Sequence, residues 1–341
     1  MKIFDLQQLP VNVPRNRLAE QVKLLAQFNV FSGKERIVLT YLGGITNHGL
    51  KEHTQNVFIR IPGVNSNYFV DRTQELDTLY QLADFRLYPG VIEAYAVGEL
   101  KGYKVESFIE GATLQFSDFV KHRFKVLPAL KELHDSNVHF SRVYDIFEQL
   151  LLMCERLIVQ GEASLPFLIH GNLERMSIAE VKNHINTLRS RKETLFRHPD
   201  SLSPCHNDIT PTNFIKLKYP VNGRKYQLID WEYAGMNDKM YDIAGVAAML
   251  GMNLDESYGL VLRYFNSTNL EKYTEEIKRV KFYMPLVKLY YAVWSALQVS
   301  TGNESASIEE LRSGWGPGSL SVFLRQYHSQ SYQALISGCL Q

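Results

Sequence analysis

Residues 205–213 read Cys-His-Asn-Asp-Ile-Thr-Pro-Thr-Asn, and residues 228–233 read Leu-Ile-Asp-Trp-Glu-Tyr. These stretches contain an aspartate, Asp208, an asparagine five positions later, Asn213, and a second aspartate, Asp230, after an apolar run. Phosphoryl transfer from ATP uses such a set, because one carboxylate orients the acceptor hydroxyl while a second carboxylate and an amide oxygen hold Mg²⁺. The spacing from Asp208 to Asn213 is that of a kinase catalytic loop. The pattern therefore predicts a kinase with Asp208 as catalytic base and Asn213 and Asp230 as metal ligands.

The sequence between the two stretches predicts a β-hairpin. Residues 214–219 and 225–230 have strand character and flank Asn222-Gly223, which is typical of a two-residue type I′ turn. Pro220 allows a second interpretation, in which the loop is longer and the register shifts by one residue.

The shorter loop would bring three oxygen-bearing side chains together. Because strand side chains alternate between faces, Asn213, Asp230 and Glu232 would then share one face of the hairpin. Glu232 is either a ligand to metal or water, or a solvated acid at the end of a strand, and both interpretations stay open.

Composition limits the classes of partner. The chain has 341 residues and a net charge of +1, so electrostatic capture by nucleic acid or by a membrane surface is not expected. Three scattered cysteines form neither a disulfide framework nor a zinc site, and with the charged N-terminal residues they indicate a reducing, cytoplasmic location. The apolar segment 282–299 contains Pro285 and Lys288, so we expect a buried helix rather than membrane insertion.

The pattern of apolar residues changes near residues 106–111. The part before this point has strand signals around two helical stretches, and the part after it has mostly helical spacing. We therefore expect an α+β, bilobal fold: a small N-terminal antiparallel-sheet lobe that binds nucleotide, residues 1–108, and a larger, mostly helical catalytic and substrate-binding lobe, residues 109–341. A cleft between two such lobes is a common ligand site. The predicted strands are 37–42, 56–61, 91–97 and 103–109, and the predicted helices include stretches around 18–26, 76–83, 119–134, 146–159, 178–195 and the chain from 241 onward.

Two features of the first part point to phosphate binding. The sequence Gly43-Gly44-Ile45-Thr46-Asn47 predicts a turn between the first two strands, where backbone N–H groups and Asn47 can approach phosphates, although most Gly-Gly pairs only turn the chain. Arg60 lies in the middle of a strand, and Glu75 lies on the following helix. A pair between them would correspond to the strand-cation and helix-glutamate pair of protein kinases, while the alternative is an arginine that extends from an edge strand into solvent.

A late helix carries Tyr291 and Trp294, which are three residues apart and so lie on one face. Aromatic faces attract cations, and Tyr233, after the second metal ligand, could add a further wall. The equally weighted alternative is an aromatic-rich core helix.

These residues resemble the choline/ethanolamine kinases, a group of the aminoglycoside phosphotransferase superfamily with a protein-kinase-like fold. The resemblance covers nearly the whole chain in the right order. The matching segments are 43–47, 59–63, 72–75, 108–111, 130–134, 205–208 with 213, 229–233, 241–244 and 294–298.

The resemblance implies a set of site residues. It implies ATP and Mg²⁺, with the adenine against Ser107, Phe108 and Ile109, and Arg60 with Glu75 positioning phosphate. It also implies that Tyr233, Tyr291 and Trp294 surround the ammonium of an amino alcohol. Glu232 is assigned with them to the substrate-binding group.

Two departures from the family leave the acceptor open. Eukaryotic choline kinases carry a tryptophan where Tyr291 stands and an acid where Met249 stands. The alternatives are therefore a kinase for thiamine, an aminoglycoside or another hydroxylated metabolite, or a nucleotide-binding pseudokinase. A monomer and a homodimer are both compatible with the sequence.

Overall fold

The computed structural model describes residues 2–9, 15–44, 47–63, 66, 70–169, 172–195, 201–253 and 256–300. The chain forms two compact units. Among the described residues, the first unit contains those up to Ala112 together with Ile215–Tyr233, and the second contains Thr113–Phe214 and residues 234–300. The fold class is α+β, as predicted.

The described strands and helices have the following bounds. The strands are β1 (Ile3–Gln7), β2 (Arg36–Gly43), β3 (Asn47–Glu52), β4 (Val57–Pro62), β5 (Val91–Ala94), β6 (Lys104–Ser107), β7 (Gly111–Thr113), β8 (Ser164–Ile169), β9 (Asn172–Ser177), β10 (Ser203–Cys205), β11 (Phe214–Val221), β12 (Arg224–Leu228) and β13 (Gly235–Asn237). The helices are α1 (Arg15–Leu24), α2 (Arg72–Asp84), α3 (Phe116–His122), α4 (Leu127–His134), α5 (Ile146–Val159), α6 (Ile178–Leu195), α7 (Met240–Met249), α8 (Ser257–Tyr264) and α9 (Thr274–Ser300).

The first unit is built on a sheet with strand order β1-β2-β3-β4-β6-β5. Its pairings are antiparallel except for the edge strand β1, which runs parallel to β2. Alternating residues of β2 and β4 pack with Leu18 and Val22 of α1 in one apolar core. Burial of this face fixes which side of each strand points inward.

Strand β3 was not predicted, because its sequence Asn-His-Gly-Leu-Lys-Glu lacks strand-forming residues. Its position between β2 and β4 supplies hydrogen bonds along both edges, and this tertiary context overrides propensity. The predicted turn at 43–47 consequently leads into β3, not directly into the second predicted strand. Gly44 has a φ of +136°, and a Cβ there would lie 1.8 Å from the carbonyl oxygen of Asn47, so only glycine fits. Ile45 and Thr46 lie outside the described residues.

The hairpin β11–β12 turns at Asn222 and Gly223, whose φ angles of +52° and +78° suit the predicted type I′ turn. However, β12 ends at Leu228, and Asp230 has a left-handed φ of +63°. Asn213 belongs to a 3₁₀ helix, Pro211–Asn213, before β11 begins. The predicted common strand face of Asn213, Asp230 and Glu232 is therefore wrong, because none of the three lies on a strand.

The second unit is mostly helical, and α5 and α6 have the predicted bounds. The predicted stretch 119–134 is split into α3 and α4, since Pro128 suits the first turn of a new helix. Every residue of α7 is buried, and α7 packs against α9. Helix α9 is the predicted buried helix, and it includes Pro285 and Lys288. Among the described helices, none carries an apolar stretch long enough to cross a membrane.

Lys288 provides a test of how deeply α9 is buried. Its side chain is 4% exposed, and burial lowers its pKa to about 8. The folded state therefore disfavours the charged form, and this cost is fully present below pH 8 and disappears as the pH rises toward the pKa of an unfolded lysine. We expect Lys288→Met to raise the free energy of unfolding by about 3 kcal/mol at pH 7 and by much less at pH 10.

Urea unfolding of wild type and variant at both pH values measures this difference in the free energy of unfolding. The other titrating groups are common to both proteins, so their contributions cancel. Lys278→Met is the matched control, because Lys278 lies on the same helix but is exposed in a pair with Glu275. It should change stability by less than about 1 kcal/mol, with little dependence on pH. A Lys288→Met effect that is equal at the two pH values would contradict burial of the charge.

Candidate functional site

The predicted site residues fall into two groups, one in each unit. The group in the second unit comprises Asp208, Asn213, Tyr291 and Trp294, and the group in the first unit comprises Asn47, Arg60, Glu75, Ser107, Phe108, Ile109, Asp230, Glu232 and Tyr233.

Asp208 is held on both carboxylate oxygens. Asn213 Nδ2 donates to Asp208 Oδ2 and to the Asp208 backbone oxygen, each at 2.9 Å. The Tyr291 hydroxyl donates to Asp208 Oδ1 at 2.7 Å. The structure thus brings together the predicted base, one predicted metal ligand and one predicted aromatic side chain.

Asp242, in the first turn of α7, fixes the loop that carries Asp208. Its two oxygens accept the backbone N–H groups of His206 and Asn207, both at 2.8 Å. His134 Nε2 lies 3.0 Å from Asp242 Oδ2, and His134 Nδ1 lies 2.9 Å from the Tyr264 hydroxyl. A fully buried carboxylate with three such contacts is compensated for its lost hydration, so the loop has one well-defined conformation.

The loop itself adds two local constraints. Asn207 adopts a left-handed φ of +65°, which asparagine tolerates, and its side chain accepts a hydrogen bond from Asn237 Nδ2 at 2.8 Å. The His206 ring accepts from the backbone N–H of Asp208 at 3.3 Å. These contacts turn the Asp208 side chain out of the buried loop, since Asp208 is partly exposed while its three preceding residues are buried.

Tyr291 is a hydrogen-bond donor in this arrangement. Burial raises the pKa of its phenol well above the usual value, and the neighbouring Asp208 carboxylate raises it further. The hydroxyl therefore keeps its proton near neutral pH. Trp294 lies on the same helix one turn later and is half-buried.

The first unit contains a buried network of cations and carboxylates. Its members are Arg60, Arg72, Lys104, Glu75, Glu106 and Glu232. Three cations face three carboxyl groups, and ion pairs of this kind offset the loss of hydration of buried charges.

The predicted pair of Arg60 and Glu75 is present in this network and is bidentate. Arg60 Nη1 and Nη2 donate to the two oxygens of Glu75 at 2.5 and 2.8 Å. Arg60 also donates to the Gly102 carbonyl oxygen through Nε and Nη2. Lys104 Nζ lies 3.4 Å from Glu75 and 2.9 Å from Glu106. Arg60 is therefore a buried, fixed cation rather than an arginine extending into solvent.

Arg72 links helix α2 to the segment after Asp230. Asp71 caps this helix by accepting two backbone N–H groups, which places Arg72 in its first turn. Arg72 Nη1 then donates to Glu75 Oε2 at 2.7 Å and to Glu232 Oε2 at 3.0 Å. Glu232 is thus neither a solvated acid nor an extended-strand side chain.

The two glutamates that share Arg72 differ in their titration. Burial alone would raise the pKa of Glu75, but Arg60 and Lys104 overcome it and hold that pKa well below its usual value. Burial, with the charge of Asp230, raises the pKa of Glu232 to about 7 despite Arg72. The difference follows from the contacts, since Arg60 is bidentate to Glu75 and lies 3.7 Å from Glu232.

The remaining predicted residues of the first unit lie at strand ends. Asn47 is the buried first residue of β3, Ser107 ends β6, and Tyr233 is buried after Glu232. The Phe108 N–H donates to the Asn56 carbonyl oxygen at 3.0 Å, so it is not available to a ligand in this conformation. Lys51 Nζ lies 3.5 Å from the centroid of the Phe108 ring and covers one face of it.

Three important residues were missed by sequence reasoning about the site. Asp242 and His134 fall in segments that match the family, and an acid inside the otherwise apolar stretch 240–249 is a signal that could have found Asp242. Arg72 could have been found from its spacing, because residues three apart on a helix are neighbours and Glu75 was already a candidate.

Several known proteins are similar to this chain in sequence or in fold. A family model described as choline/ethanolamine kinase matches residues 38–311. The LicA protein of Haemophilus influenzae is 22% identical over 281 residues, which cover 80% of this chain and 76% of LicA. A choline/ethanolamine kinase family protein from Mesorhizobium loti has a similar structure, with a TM-score of 0.66, 21% identity, and coverage of 95% of this chain and 98% of that one. A LicA structure in complex with AMP gives a TM-score of 0.64 at 21% identity, with coverage of 94% and 98%. These similarities confirm the predicted protein-kinase-like fold.

Removal of the Arg72 guanidinium tests the buried network. In Arg72→Met the carboxylate of Glu232 loses its nearest cation in a dry environment, so we expect the free energy of unfolding to fall by about 3 kcal/mol. Arg36→Met is the control in the same unit, because Arg36 pairs with Asp5 in solvent and should contribute less than about 1 kcal/mol. Chemical denaturation compares the variants, and similar losses for both would show that the network does not stabilise the first unit.

Proposed function

Since the chain belongs to the choline/ethanolamine kinase family, whose enzymes transfer a phosphoryl group to an alcohol, we propose that it transfers the γ-phosphoryl group of ATP, with Mg²⁺, to the hydroxyl of choline or a related amino alcohol. The observation that carries the proposal is the environment of Asp208. A carboxylate on a fixed loop, hydrogen-bonded to the amide of an asparagine five positions later, matches the base and metal-ligand pair that this reaction uses. Its second oxygen accepts a hydrogen bond from the Tyr291 hydroxyl.

In the proposed reaction Asp208 accepts a hydrogen bond from the acceptor hydroxyl and takes its proton as the new O–P bond forms. The backbone contacts with Asp242 hold the loop still, so the carboxylate need not reorganise during the reaction. General-base and orienting roles of this kind contribute about 10²- to 10⁴-fold to rate.

The donor set of the proposed metal ligands fits Mg²⁺. Asn213 uses its Nδ2 on Asp208, and its Oδ1 makes no hydrogen bond within the described part of the chain. The amide oxygen of Asn213 and the carboxylate of Asp230 are hard donors of the kind that Mg²⁺ prefers. Bound by them, Mg²⁺ would neutralise charge on the phosphates.

The nucleotide roles are proposals supported by similarity. A LicA protein has been solved with AMP, which supports a nucleotide site in this chain. We assign Asn47 and the pair of Arg60 and Glu75 to the phosphates, and residues 107–109 to the adenine. Because Arg60 is already held by Glu75 and Gly102, it would act mainly as a fixed positive charge.

The acceptor site is proposed from the aromatic residues. Tyr291 touches the base and Trp294 follows it on α9, so a cationic group of the acceptor could lie against their rings while its hydroxyl reaches Asp208. We also assign Glu232 and Tyr233 to this substrate group. Met249, where eukaryotic relatives carry an acid, removes one attraction for a cation, so thiamine and aminoglycosides belong in the test.

A coupled assay of ADP release identifies the acceptor. Wild-type protein with Mg-ATP is tested against choline, ethanolamine, thiamine and several aminoglycosides. The proposal predicts the highest kcat/KM for choline or ethanolamine. Preference for an aminoglycoside would overturn the assignment of the acceptor, and nucleotide binding without turnover on any alcohol would indicate a pseudokinase.

Two aspartate variants separate the proposed roles. We expect Asp208→Ala to lower kcat by about 10²-fold or more while Mg-ATP still binds, because it removes the base and not a nucleotide ligand. Asp230→Ala should in addition weaken Mg²⁺-dependent ATP binding, measured by calorimetry with and without Mg²⁺. Asp135→Ala, at an exposed site paired with Lys131, is the control and should change neither quantity. Full activity of Asp208→Ala would remove this mechanism.

A further inference from the structure

The Tyr291 hydroxyl donates a hydrogen bond to one of the two carboxylate oxygens of Asp208. Asn213 Nδ2 donates a hydrogen bond to Asp208 Oδ2, and the amide oxygen of Asn213 is the proposed metal ligand. We therefore assign Oδ2 to the side of the carboxylate next to the proposed metal ion. Oδ1 is the other oxygen, and the phenol donates to it at 2.7 Å. Building on the proposed function, we propose that Tyr291 is a positioning residue that covers Asp208 Oδ1 until an acceptor alcohol replaces it, and that it thereby limits transfer of the phosphoryl group to water.

The contact is strong enough to hold the base. Tyr291 is 4% exposed, and α9, which carries it, packs against α7, which anchors the Asp208 loop through Asp242. A phenol that donates to an ionised carboxylate makes a charge-assisted hydrogen bond, which is about twice as strong as a neutral one. Because both partners are held by packed helices, the contact loses little entropy when it forms.

An alcohol and water differ in the contacts that they can make when they displace the phenol from Asp208. An acceptor that brings its own carbon skeleton can bury that surface against the aromatic side chains while its hydroxyl takes over the contact with Oδ1, and this compensates for displacement of the phenol. Water replaces the hydrogen bond alone and leaves the space of the displaced ring unfilled. The ring is therefore expected to move for the acceptor and to stay in place against water.

The two competing reactions have the same balance of bonds. In each, an O–H proton passes to Asp208, the oxygen bonds to the γ-phosphorus, and the bond from that phosphorus to the bridging oxygen breaks to release ADP. An alcohol gives a phosphate ester, whereas water gives inorganic phosphate. Exclusion of water is a recognised function of closed kinase sites.

The test is the rate of phosphate release from Mg-ATP without any acceptor, measured for wild type and Tyr291→Phe. The variant keeps the ring and removes only the hydroxyl. We expect hydrolysis to rise about tenfold, because this factor corresponds to the free energy of one hydrogen bond to a charged group. Loss of folded protein would lower this rate, so unfolding of the variant does not explain a rise. Tyr283→Phe is the control, since Tyr283 is a buried tyrosine of the same helix whose ring contacts Tyr241, and it should not raise hydrolysis.

A double variant tests whether the phenol acts through the carboxylate. In Asp208→Asn/Tyr291→Phe the rise in hydrolysis should disappear. Unchanged or lower hydrolysis in Tyr291→Phe, or a rise that persists in the double variant, would overturn the inference. The proposed function is tested separately by the acceptor-dependent ADP release of wild type, so failure of one proposal is distinguishable from failure of the other.

Discussion

The Asp242 carboxylate is the constraint on which the second unit depends. It accepts two consecutive backbone N–H groups of the loop at 205–208 and contacts His134, and all of these groups are buried. An isolated buried carboxylate would be costly, but one with three polar contacts stabilises a single loop conformation. The loop in turn directs Asp208 to Asn213 and Tyr291. The position of Asp208 is therefore set by a residue outside the predicted site.

The first unit stabilises its buried carboxylates with ion pairs. Arginine and lysine from the sheet and from α2 surround Glu75, so its negative charge is stabilised where water cannot reach. Glu232 has one close cation and the neighbouring charge of Asp230, and its pKa is raised to about 7. Proton uptake by Glu232 can therefore occur near neutral pH while Glu75 remains ionised.

The sequence predicted some contacts of the candidate site and missed others. Asp208 and Asn213, five positions apart, are joined by a hydrogen bond, and the predicted pair of Arg60 and Glu75 is present. The sequence pattern failed where tertiary structure overrides local preference: β3 is a strand without strand formers, and Asp230 leaves the strand in a left-handed conformation that alternation cannot reveal. It also gave no sign of the Tyr291–Asp208 contact, since these residues are 83 positions apart and meet only through the packing of helices.

Movement of a phosphoryl group from ATP to the hydroxyl of a small alcohol can be observed through its product. The most direct measurement is ³¹P NMR of the wild-type protein with Mg-ATP and either choline or ethanolamine. We expect a phosphate monoester of the amino alcohol to accumulate in equal amount with ADP. Formation of ADP with inorganic phosphate alone, or persistence of ATP with both alcohols, would contradict it.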